Sequence, residues 1–282
     1  MLESYFHMAK SIAELQEIAK RVRRDIVEMI TAAKSGHPGG SLSAVELVVE
    51  LYFNHMRIDP ANPKWADRDR FILSKGHAAP VLYSVMAERG YADTPKDKLN
   101  TLRKFGSVFQ GHPDMRFIPS LEASTGSLGQ GLSLGLGMAL AARLNGSPSR
   151  TYVMLGDGEI QEGQIWEAAM AGAFHKADNL VAIVDNNRIQ LDGFVADIMA
   201  VDPLADKWRA FGWHTLEIDG HSLEAIEGAL AEAAATKGKP TCLVAHTIKG
   251  KGVSFMQDDN NWHYRVPNDE EVLAAKKELG LA

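Results

Sequence analysis

The chain has 282 residues, 45% of them hydrophobic and 23% charged, with a formal net charge of -6; that is length for a substantial core, and it excludes a mostly disordered chain. The longest basic run, Arg21-Val22-Arg23-Arg24, falls inside a helical pattern, so nothing favours a nucleic-acid partner. The one cysteine, Cys242, excludes an internal disulfide and suits a reducing, cytoplasmic setting; within the apolar run TCLVAH it reads as a small buried strand residue.

The N-terminal stretch MLESYFHMAKSIAEL carries early acids and lacks the apolar core of a signal peptide. Residues 11–34 place Ile12, Leu15, Ile18, Ala19, Val22, Ile26, Met29 and Ile30 at helical spacing, with Ser11 and Glu14 spaced as a capping box. Ser43 and Glu46 repeat that signal and predict a second helix to about His55. RFILS (70–74) reads as a strand, and Ala79–Gly90 as a helix with Pro80 in its first turn. Residues 103–125, with Gly106, Gly111, Pro113 and Pro119, read as irregular. A long helix follows TGSLGQG (125–131) and ends near Asn145-Gly146; its segment LSLGLGMALAARL is too short and too glycine-rich to span a bilayer. Then come strand TYVML, helix 163–176, strand LVAIV, helix 203–211, strand WHTLEI, helix 222–236, strand TCLVAH and a terminal helix from Asn268.

Strands alternating with helices of this length predict βαβ units, an α/β fold with a mostly parallel sheet and helices on both faces. One domain is expected over 1–282: an N-terminal helix at 11–34, an α/β core at about 35–267 and a short C-terminal helix at about 268–282.

In such a sheet, ligands bind beyond the carboxyl ends of the strands. The residues expected there are Ser74-Lys75-Gly76-His77, Gly156-Asp157-Gly158, Asp185-Asn186-Asn187, Asp219-Gly220-His221 and Thr247-Ile248-Lys249-Gly250. Turns favour Gly, Asp and Asn in any case, but five such turns on one edge point to a polar ligand. Gly156 and Gly158 let backbone approach a ligand closely. If their strands are neighbours, Asp157 and Asn187 offer converging oxygens, with a carbonyl near Ile189 as a third. That suits Mg²⁺ or Ca²⁺, and one carboxylate on a dication calls for an anionic co-ligand, naturally a diphosphate. TGSLGQG, glycine-rich before a helix, could offer free N–H groups to an anion or simply ease packing. It is not a Walker loop, and the GLG at 135–137 is not a dinucleotide fingerprint.

GDG followed after some thirty residues by NN resembles the metal–diphosphate motif of thiamine-diphosphate enzymes. The strings KSGHPGG (34–40), LSKGHAAP (73–80), GHPD (111–114), TGSLGQG and GDGEIQEGQIWEA, in this order, resemble transketolase more specifically, over about residues 14–267. Transketolases are normally more than twice this length. The resemblance therefore implies the N-terminal, diphosphate-binding (PP-type) subunit of a split transketolase, with the pyrimidine-binding and C-terminal domains on a partner chain, the C-terminal subunit, in a heterotetramer with two copies of each.

The resemblance also implies roles. Asp157, Asn187 and the Ile189 carbonyl would hold the metal, Mg or Ca. Gly126, Ser127, Leu128, Gly156, Gly158, Glu159 and Lys249, with Asn187 and His77, would lie beside thiamine diphosphate. His37, His77, His112 and His263 would point into a channel for sugar phosphates and move protons there, work that calls for groups titrating near neutral pH. Glu162 and Glu167 match acids near a subunit interface, joined in a proton relay between paired sites. His7, His55, His175, His214, His221 and His246 read as surface or hydrogen-bonded core residues. The implied activity moves a two-carbon ketol unit from a ketose phosphate to an aldose phosphate. The rivals are the α subunit of a 2-oxo acid dehydrogenase, 1-deoxyxylulose-phosphate synthase and a non-catalytic thiamine-diphosphate-binding module.

Overall fold

A computed structural model describes residues 9–280; His7 and the last two residues of the expected C-terminal helix lie outside them. Helix α1 (Ile12–Ala33) begins as its sequence asks: the Ser11 N–H donates to Glu14 Oε2 at 2.9 Å, and the Glu14 N–H donates to Ser11 Oγ at 3.3 Å. The second expected cap does not form. The chain turns helical earlier, in α2 (Pro38–Leu42), where Pro38 suits the first helical position. It continues through α3 (Val45–Glu50) into a π turn at Leu51–His55. Ser43 and Glu46 are both buried, and longer-range partners take them: Ser43 Oγ donates to Asp185 at 2.6 Å, and Glu46 receives Arg23. Buried polar groups need full partners, and here tertiary contacts supply them in place of a local cap.

Strand β1 (Arg70–Leu73) leads through a 3₁₀ turn into α4 (Ala79–Arg89), which Gly90 ends at φ 91°. No helix or strand forms between 103 and 125. Then follow α5 (Gln130–Leu144), β2 (Thr151–Gly156), α6 (Gly163–Phe174), β3 (Leu180–Asn186), a one-turn α7 (Val195–Ile198) that periodicity did not suggest, and α8 (Leu204–Ala210). After these come β4 (His214–Asp219), α9 (Leu223–Ala235), β5 (Thr241–His246) and α10 (Asp269–Glu278). Ser222 caps α9, and Asn268 with Glu271 makes a capping box for α10.

The five strands form one fully parallel sheet in the order β1-β2-β3-β5-β4. Successive strand residues serve opposite faces. Tyr152, Met154, Val181, Ile183, Leu243 and Ala245 pack into one core with α1, α3, α4 and α9. Val153, Leu155, Ala182, Val184, Cys242 and Val244 pack into another with α5, α6 and α8. A sheet covered on both faces explains why its strands read as continuous apolar runs. All crossovers being parallel, the five strand ends, with their polar turns, share one edge. Among the described residues no helix is long and apolar enough to cross a membrane.

Candidate active site

β2 and β3 are neighbours, with Gly156 opposite Asp185 in the ladder. That register brings the two acid-bearing turns together. Asp157 Oδ1 accepts the Gly158 N–H at 2.8 Å and Oδ2 accepts the Arg188 N–H. Arg188 sits at φ 67°, a left-handed turn between Asn187 and Ile189. Asn187 Oδ1 accepts the Ile189 N–H at 3.2 Å, and the Ile189 carbonyl accepts Lys249 Nζ at 2.8 Å. Asp157, Asn187 and Ile189 all line one cleft of about 250 Å³ and are almost wholly buried.

This donor set fits a hard dication. It offers one carboxylate, one amide oxygen and one carbonyl, each oxygen with a lone pair left beyond the one N–H it accepts. Burial, helped by the Asp185 charge, pushes the Asp157 carboxyl up to about 7 against its two backbone donors. A carboxylate so penalised is what a bound cation relieves. Lys249 supplies positive charge at the same place, its ammonium pushed down to about 8 by burial and by Lys75 while Asp157 and Asp185 oppose.

Beneath the cleft lies a group that the motifs did not single out. Asp185 is fully buried and accepts from Ser43 Oγ at 2.6 Å, from Asn187 Nδ2 at 3.1 Å, and from Lys75 Nζ and Thr247 Oγ1. Lys75 also donates to the Gly40 carbonyl at 2.7 Å. Burial pushes the Asp185 carboxyl up, but Lys75 and the hydroxyl donors outweigh it and hold it below its ordinary value. Asp185 thus fixes which way the Asn187 amide faces. The available signal was an acid ending the wholly apolar run LVAIV in a central strand, which must find a buried cation.

Three of the four expected histidines meet. The His37 ring lies 5.1 Å from His77 and 5.4 Å from His263, and His77 stacks on His263 at 5.4 Å. His263 Nδ1 is 2.9 Å from Lys249 Nζ, so this nitrogen accepts. His112 is exposed at the cleft rim, where a Cβ on Gly126 would come within 3.1 Å of its Cγ. Burial holds the rings below the ordinary imidazole value. Burial, with Arg103, His112 and Lys249 nearby, pushes His37 down to about 4. Burial with Lys249, His37 and Lys75 pushes His263 down to about 3, and His77 falls well below its ordinary value through burial and Lys75. Burial and Arg103 lower His112 too. His37 Nδ1 and Thr125 Oγ1 are buried with no hydrogen-bond partner among the described residues, leaving polar valence for a ligand.

Two of the TGSLGQG amides are already taken within the protein. The Gly129 N–H donates to Glu159 Oε1 at 2.9 Å, and the Gly131 N–H donates to Ser74 Oγ at 3.1 Å. Glu159 also accepts from Ser74 Oγ and, at 2.9 Å, from the Gly156 N–H. Its carboxylate therefore ties loop to strand, although the residue lines the cleft. The loop instead lends Gly126 and Leu128 to the wall, while Ser127 is exposed and does not line it. Packing within the protein requires glycine at Gly158, where a Cβ would lie 2.8 Å from Gln190 Cβ, while at Gly156 the nearest protein atoms are 3.7 Å away. Glu162 and Glu167 do not line the cleft; Glu162 is exposed just before α6 and Glu167 is exposed on it. Gln190 and Leu191, unremarked in the sequence, line it.

Residues 15–282 match the family model for the transketolase thiamine diphosphate binding domain. The chain is 44% identical over 266 residues to one of the subunits of the apulose-4-phosphate transketolase of Phocaeicola vulgatus, covering 94% of this chain and 93% of that protein. It is 44% identical over 272 residues to the 6-deoxy-6-sulfo-D-fructose transketolase subunit SqwG of a Clostridium species, covering 96% and 98%. Among solved structures it is similar to the transketolase of Campylobacter jejuni, with a TM-score of 0.91 and 32% identity over 96% of this chain. It spans only 43% of that longer protein.

Proposed function

Because the chain belongs to the transketolase family, as its thiamine diphosphate-binding domain, we propose that it is the N-terminal subunit of a two-chain transketolase. It transfers a two-carbon ketol unit from a ketose phosphate to an aldose phosphate, working with a C-terminal subunit in an α2β2 heterotetramer in the cytoplasm. Residues 1–282 serve as one PP-type domain. The observation that carries this reading is a single cleft holding both the oxygen set of Asp157, Asn187 and Ile189 and the ring cluster of His37, His77 and His263. The subunit relatives support the split. The chain covers 93% and 98% of the two subunit relatives but 43% of the single-chain enzyme. Those subunit relatives also favour this reading over a 2-oxo acid dehydrogenase subunit.

Thiamine diphosphate, when bound, supplies the electron sink that stabilises a carbanion. The protein's part is placement. Asp157, Asn187 and the Ile189 carbonyl hold Mg²⁺ or Ca²⁺ at the sheet edge, and Lys249 lends charge to the diphosphate. Gly126, Leu128 and Gly158 allow close approach. His37, His77 and His263, neutral at pH 7, each carry one donor and one acceptor nitrogen, which suits holding sugar hydroxyls and passing protons between them. An incoming anion raises their proton affinity toward the working range. Glu167 shares an exposed face of α6 with Met170 and Phe174, and Glu162 is exposed just before that helix; a partner chain would meet them there.

The test is reconstitution. The chain with its partner subunit, thiamine diphosphate and Mg²⁺ should convert xylulose 5-phosphate and ribose 5-phosphate. Robust transfer by this chain alone would refute the two-chain assignment.

A further inference from the structure

The turn after β5 carries Lys249 into the cleft, and its backbone is gripped from behind by the side chains of Arg23 and His221, which Glu46 joins. His221 Nε2 accepts the Ile248 backbone N–H at 2.9 Å. An accepting Nε2 leaves the ring proton on Nδ1, which donates to Glu46 Oε2 at 3.0 Å. Arg23 Nη2 donates to both Glu46 oxygens, at 2.6 and 2.8 Å, and Arg23 Nε donates to the Lys251 carbonyl at 2.9 Å. Arg23 and Glu46 are buried. Burial pushes the Glu46 carboxyl up, but the Arg23 charge and the His221 hydrogen bond outweigh it, so it stays ionised.

The turn is bent over this group. Gly252, at φ 93°, lies so near that a Cβ would stand 2.6 Å from Arg23 Cδ. On the cleft side the Gly250 N–H donates to the Gly39 carbonyl at 3.1 Å, and Lys249 Nζ reaches the Ile189 carbonyl and His263. The residue before Lys249 and the second residue after it are therefore both held from outside the site. Arg23, Glu46 and His221 do not line the cleft.

We propose that Arg23, Glu46 and His221 are positioning residues: a clamp on the 248–251 turn that sets where Lys249 stands and, through it, the affinity for the diphosphate end of the cofactor. The affinity clause rests on the function proposed above; the clamp itself rests on the turn alone.

Hydrogen exchange of the full chain tests the clamp. His221→Ala should speed exchange in peptide 247–253 about tenfold or more while distant peptides keep their rates, and His221→Gln, whose amide oxygen can accept the Ile248 N–H, should restore part of the protection. Unchanged exchange in that peptide, or an equal rise everywhere, overturns it. Nitrogen-15 spectra of the wild-type chain should show His221 protonated on Nδ1; an Nε2-protonated ring overturns the clamp without any variant having to fold. In the complex with its partner subunit, His221→Ala should weaken thiamine diphosphate binding about tenfold, yet add little to the loss caused by Lys249→Ala. Full additivity of the two losses overturns the route through Lys249. Wild-type affinity in Lys249→Ala overturns the affinity clause and the proposed role of Lys249, and leaves the clamp to stand or fall on exchange.

Discussion

Asp157 is a carboxylate where burial and a second carboxylate both oppose its charge, so its value lies in what it binds. Asp157→Ala should reduce Mg²⁺-dependent thiamine diphosphate affinity at least about 100-fold, roughly 2.7 kcal/mol, with the melting temperature held or raised. Calorimetric titration and a thermal melt check both; unchanged affinity would count against the metal assignment. The buried rings make stability depend on pH. An unfolded imidazole takes up its proton near 6.5, whereas native His37 does so only near 4 and His263 near 3. Between those values the unfolded chain binds more protons, so acidification from pH 6.5 to about 4 removes stability. Asp157 acts in the opposite sense: its native carboxyl protonates near 7 and the unfolded one near 3.8, so acidification through that window adds stability. A double variant, His37→Gln with His263→Gln, should therefore lose less stability than wild type between pH 6.5 and 4 in urea titrations. An identical slope would show that these rings titrate normally in the native chain.

Elements are joined here by close contacts that sequence periodicity does not reveal. Helix α5 lies against β2 at Gly135, where an added Cβ would stand 2.4 Å from Val153 Cγ2. Gly135→Ala should thus destabilise the isolated chain by about 1–3 kcal/mol through overpacking. Gly137, two residues on, faces open space with ordinary helical backbone, and Gly137→Ala should stabilise the chain by about 0.5–1 kcal/mol. Urea unfolding of both variants separates packing from propensity; equal effects would mean that α5 is not seated as described. The Lys75–Asp185 pair joins the β1 turn to β3 in the interior. Removing one partner from such a pair costs about 3–5 kcal/mol, so Lys75→Met should lower stability by that order. The exposed Arg209–Asp206 pair should change it by less than about 1 kcal/mol when broken.

At the scale of the molecule, the proposed two-chain enzyme makes this chain one part of the catalytic arrangement. The cleft carries a carboxylate, an amide, a lysine and imidazoles, and half-exposed Leu191 lines it. The isolated chain should bind thiamine diphosphate weakly and give no ketol transfer above background. Adding the partner subunit should restore transfer at a stoichiometry of one to one, read by coupled assay and sedimentation.

The alternation of apolar runs with amphipathic helices determined the α/β class from sequence alone, because strand and helix periods are local properties of the chain. The motif strings likewise marked Asp157, Asn187, Lys249 and the histidines, and the fold brings Asp157, Asn187, Lys249, His37, His77 and His263 to one cleft. Tertiary structure decided the rest. Ser43 and Glu46 have the spacing of a helix cap, yet buried partners far along the chain claim both. The Gly129 and Gly131 amides of TGSLGQG look free in sequence, yet Glu159 and Ser74 take them. The imidazoles are kept neutral by burial and by Lys249, Lys75 and Arg103, charges from other elements. Hydrogen-bond competition and desolvation depend on three-dimensional neighbours, and a linear pattern names candidates for those roles without saying which partner wins.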